Sequence, residues 1–217
     1  VTTDGPARPG APAAGEPRLG LRERRKRATR RALADAALQL VAEHGLDHVT
    51  VEAIAEVAGV SERTFFNYFA SKEDAVVDDS SDSIARVCHQ LRTLPAGLST
   101  LEALRAALRA EIQEIEDHPE TLTLRMTVLE RTPSLFPRMM ASSESAIREL
   151  TEAVAERVGV APDHAFPGLF AITGATVFHA TVLKWHKAGR PGALGDHLAQ
   201  AFDLLAAGLP DPEDPSA

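Results

Sequence analysis

Apolar residues recur along this chain at helical spacing, and no segment shows a convincing strand-like alternation. A first helix is predicted from about Leu21 to Glu43, with Leu33, Ala37, Leu40 and Val41 on one face and Gly45 as its stop. Thr50 can cap a short helix over 51–58 that buries Val51, Ile54 and Ala55 and stops at Gly59. Ser61 can cap another over 62–69, and Ser71 a fourth beginning at Lys72, with Asp74 placed to answer the cap as in a capping box. Longer helices follow over roughly 72–92, 100–117, 119–131, 135–158, 163–188 and 193–207. They are separated by Pro95/Gly97, Pro119, Pro133/Pro137, Gly159/Pro162 and Gly189 to Gly192. The expected fold is all-α, with a three-helix helix-turn-helix head over 21–70 and a larger helical body over 71–208. Residues 1–20, punctuated by Pro6, Pro9, Pro12 and Pro17, show no apolar period and read as a disordered tail, as does 209–217.

Charge changes this picture, because it is divided unevenly. The net charge is −8, yet residues 1–72 carry 11 basic against 9 acidic side chains and the remainder 12 against 22. Seven of the ten positions from Arg22 to Arg31 are basic, opposed only by Glu23. A basic patch at one end of an acidic protein points to an anionic partner met from that end. Cys88 is the single cysteine, so no internal disulfide can form and the expected compartment is the cytoplasm. No basic-then-apolar start reads as a signal peptide. The weakly polar stretch from Leu169 to Leu183 is short for a membrane span and carries Thr173, Thr176, His179 and Thr181, so it is expected to be a buried helix, with no membrane partner.

The segment from Thr50 to Phe69 has helix-turn-helix spacing. Ala55 and Ala58 are small where two helices cross, Gly59 allows the positive φ of a tight turn, and Val60 plugs the turn into the core. Ser61, Arg63, Thr64, Asn67 and Tyr68 then offer hydroxyl, guanidinium and amide groups suited to phosphates and base edges in a major groove.

The basic first helix, the run Ala55 to Phe69 and the following Ser71-Lys72-Glu73-Asp74 resemble the DNA-binding domain of TetR/AcrR-type regulators over residues 22–75. Thr132-Pro133-Ser134-Leu135 and the helix ending Arg157-Val158-Gly159-Val160 resemble the ligand domains of actinobacterial members, including mycofactocin-type regulators. The resemblance implies a ligand-responsive dimeric repressor that holds a palindromic operator in double-stranded DNA until a small molecule enters the body. An activator on the same fold stays open. In residue terms it implies phosphate contacts from Thr50, Ser61, Tyr68 and Lys72, with Arg25 in the basic arm, and base contacts from Arg63, Thr64 and Asn67. The sequence departs from the commonest family form at Glu62-Arg63, where many members have Lys-Gly, and at Phe66, where many have Tyr. Glu62 either accepts from a cytosine amine or favours the helix N-terminus. Phe66 lacks a hydroxyl that could meet phosphate.

Alone, the basic run could be a solvated helix start; ahead of a helix-turn-helix it reads as a backbone-contact arm. Phe65 and Phe69 are expected in the core rather than as DNA wedges. His179 and His186 share a helix face, but no Cys partners or second close His/Asp/Glu motif accompany them, so no metal and no cofactor are expected. Cys88 reads as a small buried apolar residue. Candidate linings for an effector pocket are Met126, Phe136, Met140, Phe170, Phe178 and Trp185, with Arg125 or His179 as polar anchors. The effector is expected to have an apolar part, an acyl-CoA being one option that the resemblance raises. Gly174, Ala175, Ala206 and Ala207 among Ile172, Val177, Val182, Leu198, Phe202 and Leu205 suit a four-helix packing between two subunits. An enzyme finds little support: there is no P-loop, Gly-x-Ser-x-Gly elbow, dinucleotide fingerprint or His-Glu-x-x-His. A protein-binding adaptor would leave the Arg63, Thr64, Asn67 and Tyr68 set without a role.

Overall fold

The computed structural model describes residues 21–78 and 81–209; the readings for 1–20 and 210–217 lie outside them. Every regular element among the described residues is helical. The head is built from α1 (Leu21–His44), α2 (Val51–Val57), α3 (Glu62–Phe66) and α4 (Lys72–Val77). The body comprises α5 (Ser81–Thr93), α6 (Thr100–Asp117), α7 (Pro119–Arg131), α8 (Phe136–Val158), α9 (Ala165–Lys187) and α10 (Leu194–Ala206).

The short helices of the head are fixed by their caps. Gly45 takes φ +81° and its N–H returns to the Val41 carbonyl, which ends α1. Thr50, Ser61 and Ser71 each accept at the side-chain oxygen from the backbone N–H three residues on, opening α2, α3 and α4. Asp74 answers Ser71 by accepting from its hydroxyl at 2.8 Å. Gly59, at φ +69°, makes the turn between α2 and α3, and the Val60 N–H closes it on the Ala55 carbonyl at 2.9 Å.

One apolar core joins Leu33, Ala37, Ile54, Phe65 and Phe69 to Ala75 and Val76, and extends to Val128 of α7 and Leu135. The head's buried surface therefore does not stop at residue 70 but runs through α4. A second core fills the body, with Leu91, Leu104, Val154, Ala171, Trp185 and Phe202 among its members.

The expected single helix over 72–92 is two helices. α4 ends at Val77, and Asp78 leaves the helix at φ −62°, ψ 92°. Its carboxylate is gripped by Arg30 of α1 through two hydrogen bonds of 2.9 Å, while its carbonyl accepts from Arg125 of α7 at 3.2 Å. The local sequence Asp78-Asp79-Ser80-Ser81-Asp82 offers little resistance, since Asp and Ser side chains compete for backbone groups and favour helix ends.

α9 also differs from expectation. It is 23 residues long, long and apolar enough by length and composition to cross a membrane, and it is not wholly buried. One stripe, Pro167, Ala171, Gly174, Val182 and Trp185, is buried. The opposite stripe exposes Phe166, Leu169 and Ile172. Gly174 lets α9 lie against α6, for a Cβ there would stand 2.8 Å from Leu104.

Arg157 closes the far end of the body. Its guanidinium donates to the carbonyls of Leu91, Leu94, Pro95 and Leu98 at 2.8–3.0 Å, satisfying the end of α5 and the turn after it. Replacing Arg157 with Met keeps much of the stem's packing but removes the donor these carbonyls share, Pro95 alone keeping the Leu98 N–H at 3.2 Å. The expected result is a loss of about 3 kcal/mol in urea unfolding; a loss below about 1 kcal/mol would show that water replaces the guanidinium there.

Candidate nucleic-acid interface

α3 and the turn over 67–69 that ends it sort their residues by face. Phe65 and Phe69 are buried, their rings 5.7 Å apart, and lock the helix into the head. Glu62, Arg63, Phe66 and Asn67 are exposed; spaced at i, i+1, i+4 and i+5, they form one strip on the outside of the helix. Thr64 is half-buried and its hydroxyl shares a 2.9 Å hydrogen bond with that of Ser61. Tyr68 is half-buried against the head's core.

The other residues expected at DNA are placed as follows. Thr50 and Ser61 are exposed, with their oxygens accepting in the caps. An accepting hydroxyl keeps its own hydrogen, so Thr50 remains a donor. Arg25 is exposed on α1 beside Lys26. Lys72 is half-buried, and its ammonium donates to the Leu46 and Val49 carbonyls at 2.7 and 2.8 Å. Two of its three donors thus tie down the turn between α1 and α2.

The basic run does not act as one arm. Arg30 turns inward: it pairs with Asp78, donates to the Tyr68 carbonyl at 3.2 Å, and lies 4.5 Å from the Phe69 ring centre. Arg31 pairs with Glu114 of α6. Arg30 lies three residues before Leu33, on the stripe that Leu33, Ala37 and Val41 continue; that register was the available signal for its inward role.

The eight residues expected around an effector do not converge. Trp185 is buried in the body core, its indole N–H donating to the Gly192 carbonyl at 3.1 Å. Phe136 and Met140 are exposed on the first turns of α8, and Met126 is half-buried on α7. Arg125 holds the Asp78 carbonyl. Phe178 packs on the body core with exposed His179 beside its ring. Phe170 opens onto a different feature, an apolar groove of about 260 Å³ with Phe166, Leu169 and Leu205. Phe170 and Trp185 are fifteen residues apart on α9, roughly 22 Å along the axis, too far for one compact site. A second, open hollow of about 510 Å³ lies between Thr123 and Thr127 of α7 and Arg190. Neither feature has a periodicity that would mark it in the sequence. Among the described residues no three His, Cys, Asp or Glu side chains form a metal-binding group.

Fold and site together define the class, a helix-turn-helix transcriptional regulator. Residues 33–76 match the family model of bacterial regulatory proteins of the tetR family, and residues 98–210 match that of the MftR C-terminal domain. The chain is 35% identical over 159 residues to the transcriptional regulator TcmR of Streptomyces glaucescens, covering 70% of each protein. It is 32% identical over 196 residues to MftR of Mycobacterium tuberculosis, named for the regulation of mycofactocin biosynthesis, covering 89% of this chain and 96% of MftR. Thermus thermophilus FadR, a TetR-family repressor solved with lauroyl-CoA, superposes with a TM-score of 0.53 at 25% identity, covering 87% of this chain and 98% of FadR. The chain belongs to the TetR family of transcriptional regulators, with a C-terminal domain of the MftR type.

Two side chains can be tested without DNA. Changing Lys72 to Met leaves the Val49 carbonyl unanswered and the Leu46 carbonyl with the Val49 N–H at 3.4 Å as its backbone partner, and about 2 kcal/mol of stability is expected to be lost in chemical denaturation. Unchanged stability with weakened duplex binding would instead make phosphate the ammonium's main partner. Cys88 is buried, and burial pushes its thiol up to about 11. Below that pH the neutral thiol dominates and nucleophilic thiolate is scarce. At pH 8 the folded protein is therefore expected to react with a disulfide reagent far more slowly than the urea-unfolded chain; equal rates would contradict the burial.

Proposed function

We propose that this regulator is a homodimeric repressor that holds a palindromic operator through two copies of α3 and releases it when a small molecule binds the body. The carrying observation is the outward strip of Glu62, Arg63, Phe66 and Asn67 on a helix whose other side is locked by Phe65 and Phe69. Such a strip can enter a major groove without rearranging the head. Arg63 and Asn67 supply base-edge contacts in this reading, Thr64 a shorter one, and Thr50, Ser61, Tyr68, Arg25 and the remaining donor of Lys72 the phosphate contacts.

The exposed face of α9 favours a dimer. Phe166, Leu169 and Ile172, with Leu204 of α10, present apolar surface that a second copy would cover, in the four-helix manner expected for a C2 pair. The effector is assigned an apolar tail. FadR, with its lauroyl-CoA, favours an acyl-CoA as the first molecule to try.

Release requires that the effector favour a body conformation in which the heads no longer match the operator, by about 1–3 kcal/mol for ordinary coupling. The lever is α4, tied to α8 by the Asp74–Arg138 pair and to α1 and α7 through Asp78.

The direct test is titration against duplexes flanking the protein's own gene at two salt concentrations, beside an Arg63→Ala/Asn67→Ala variant. Palindrome-selective binding that falls steeply with salt is expected, with a loss of roughly a hundredfold or more in the variant. Equal binding of all duplexes by both proteins would overturn the role given to α3. Lauroyl-CoA added to the complex then asks for release; operator held as tightly with the ligand bound would overturn release by that ligand.

A further inference from the structure

Phe66 is the one apolar residue on the outward strip, and more than half of its surface, 56%, is exposed. It is neither a core residue nor a loose one. Its ring stands nearly perpendicular to that of buried Phe65, at 85° with centres 5.5 Å apart, so the ring's direction is set from behind. Helical spacing places it beside Glu62, Arg63 and Asn67, and α3 cannot enter a groove with those residues and leave Phe66 outside. It lacks a hydroxyl with which to meet a phosphate. In the major groove the apolar feature that projects from the base edges is the thymine C5-methyl group.

We infer that Phe66 is a specificity-determining residue which reads a thymine methyl in each operator half-site, next to the base contacts of Arg63 and Asn67. The inference rests on the proposed DNA-binding role of α3. Contact between ring and methyl excludes water from both, whereas cytosine at the same place offers an amine to an aromatic ring that cannot accept it well.

The experiment uses a palindromic duplex selected by the full-length protein from a randomised pool, remade with deoxyuridine in place of thymidine at one symmetric position at a time. Deoxyuridine keeps the pairing edge and removes only the methyl. For the unaltered protein, one position is expected to weaken binding by roughly fifteenfold, about fourfold for the methyl lost in each half-site. For Phe66→Ala the thymidine and deoxyuridine duplexes are expected to bind alike at that position, while Phe66→Leu retains part of the preference. Thermal unfolding of each variant shows that the head is intact; the exposed ring makes a large loss of stability unexpected, and Phe66→Leu keeps the comparison valid if the alanine variant unfolds. If the unaltered protein binds selectively and no deoxyuridine position matters, or if Phe66→Ala keeps the full methyl dependence, the inference is overturned and the role of α3 stands. If the unaltered protein selects no duplex, that role falls and this inference with it.

Discussion

The junction between the head and the body is built on one residue, Asp78. Asp78 stands where α4 stops, and Arg30 reaches it from α1 across 48 residues of sequence. The pair is largely sheltered, with 10% of the Asp78 side chain and 26% of the Arg30 side chain exposed. Charged hydrogen bonds in such a setting are costly to break from one side, because the remaining partner is left desolvated. Arg125 adds a bond from the body to the Asp78 carbonyl. The same few atoms thus end α4, hold it against the head's long helix α1, and connect the head to α7.

α9 shows the opposite economy. A helix apolar on both sides is usually surrounded by protein, but here only one stripe has partners within the chain. Gly174 allows that stripe to approach α6 closely, and the other side is left with Phe166, Leu169 and Ile172 in solvent. Apolar residues that contribute nothing to the chain's own core are hard to explain by folding alone. They are readily explained by association.

The head was legible in the sequence because its determinants are local. Thr50, Ser61 and Ser71 cap helices at the positions their spacing implies, and Gly45 and Gly59 take the positive φ that their turns require. Long helices between Pro and Gly breaks were legible for the same reason. What escaped was the partner choice of charged side chains. Nothing in the composition of the run from Arg22 to Arg31 says that Arg30 and Arg31 pair with Asp78 and Glu114, because those acids lie 48 and 83 residues away. The break at Asp78 was hidden similarly: its short-range signal is a cluster of Asp and Ser, and its cause is tertiary. The effector linings were least legible of all. Apolar residues at helical spacing look alike whether they fill a core, as Trp185 does, or face solvent, as Phe136 does.

Magnitudes bear on how a body could steer such a head. The two apolar cores are distinct, and the head's core borrows Val128 and Leu135 from the body side. Around that contact the connections are ion pairs. Arg138–Asp74 and Arg31–Glu114 are substantially exposed, with 45% and 56% of the arginine side chains open to solvent. Pairs of that exposure contribute about 1 kcal/mol or less each. The sheltered Arg30–Asp78 pair lies within the head, joining α1 to the end of α4, and the body reaches it through the Arg125 bond to the Asp78 carbonyl. A head joined to the body by the Val128 and Leu135 contact, the Arg125 bond and weak struts has only that local packing to disturb when its tilt changes, a cost of about a few kcal/mol, which is the scale on which a bound ligand ordinarily couples to a distant site. Were the two cores fused into one, the same displacement would require repacking close-packed side chains, and a ligand of ordinary affinity difference would have too little free energy to drive it.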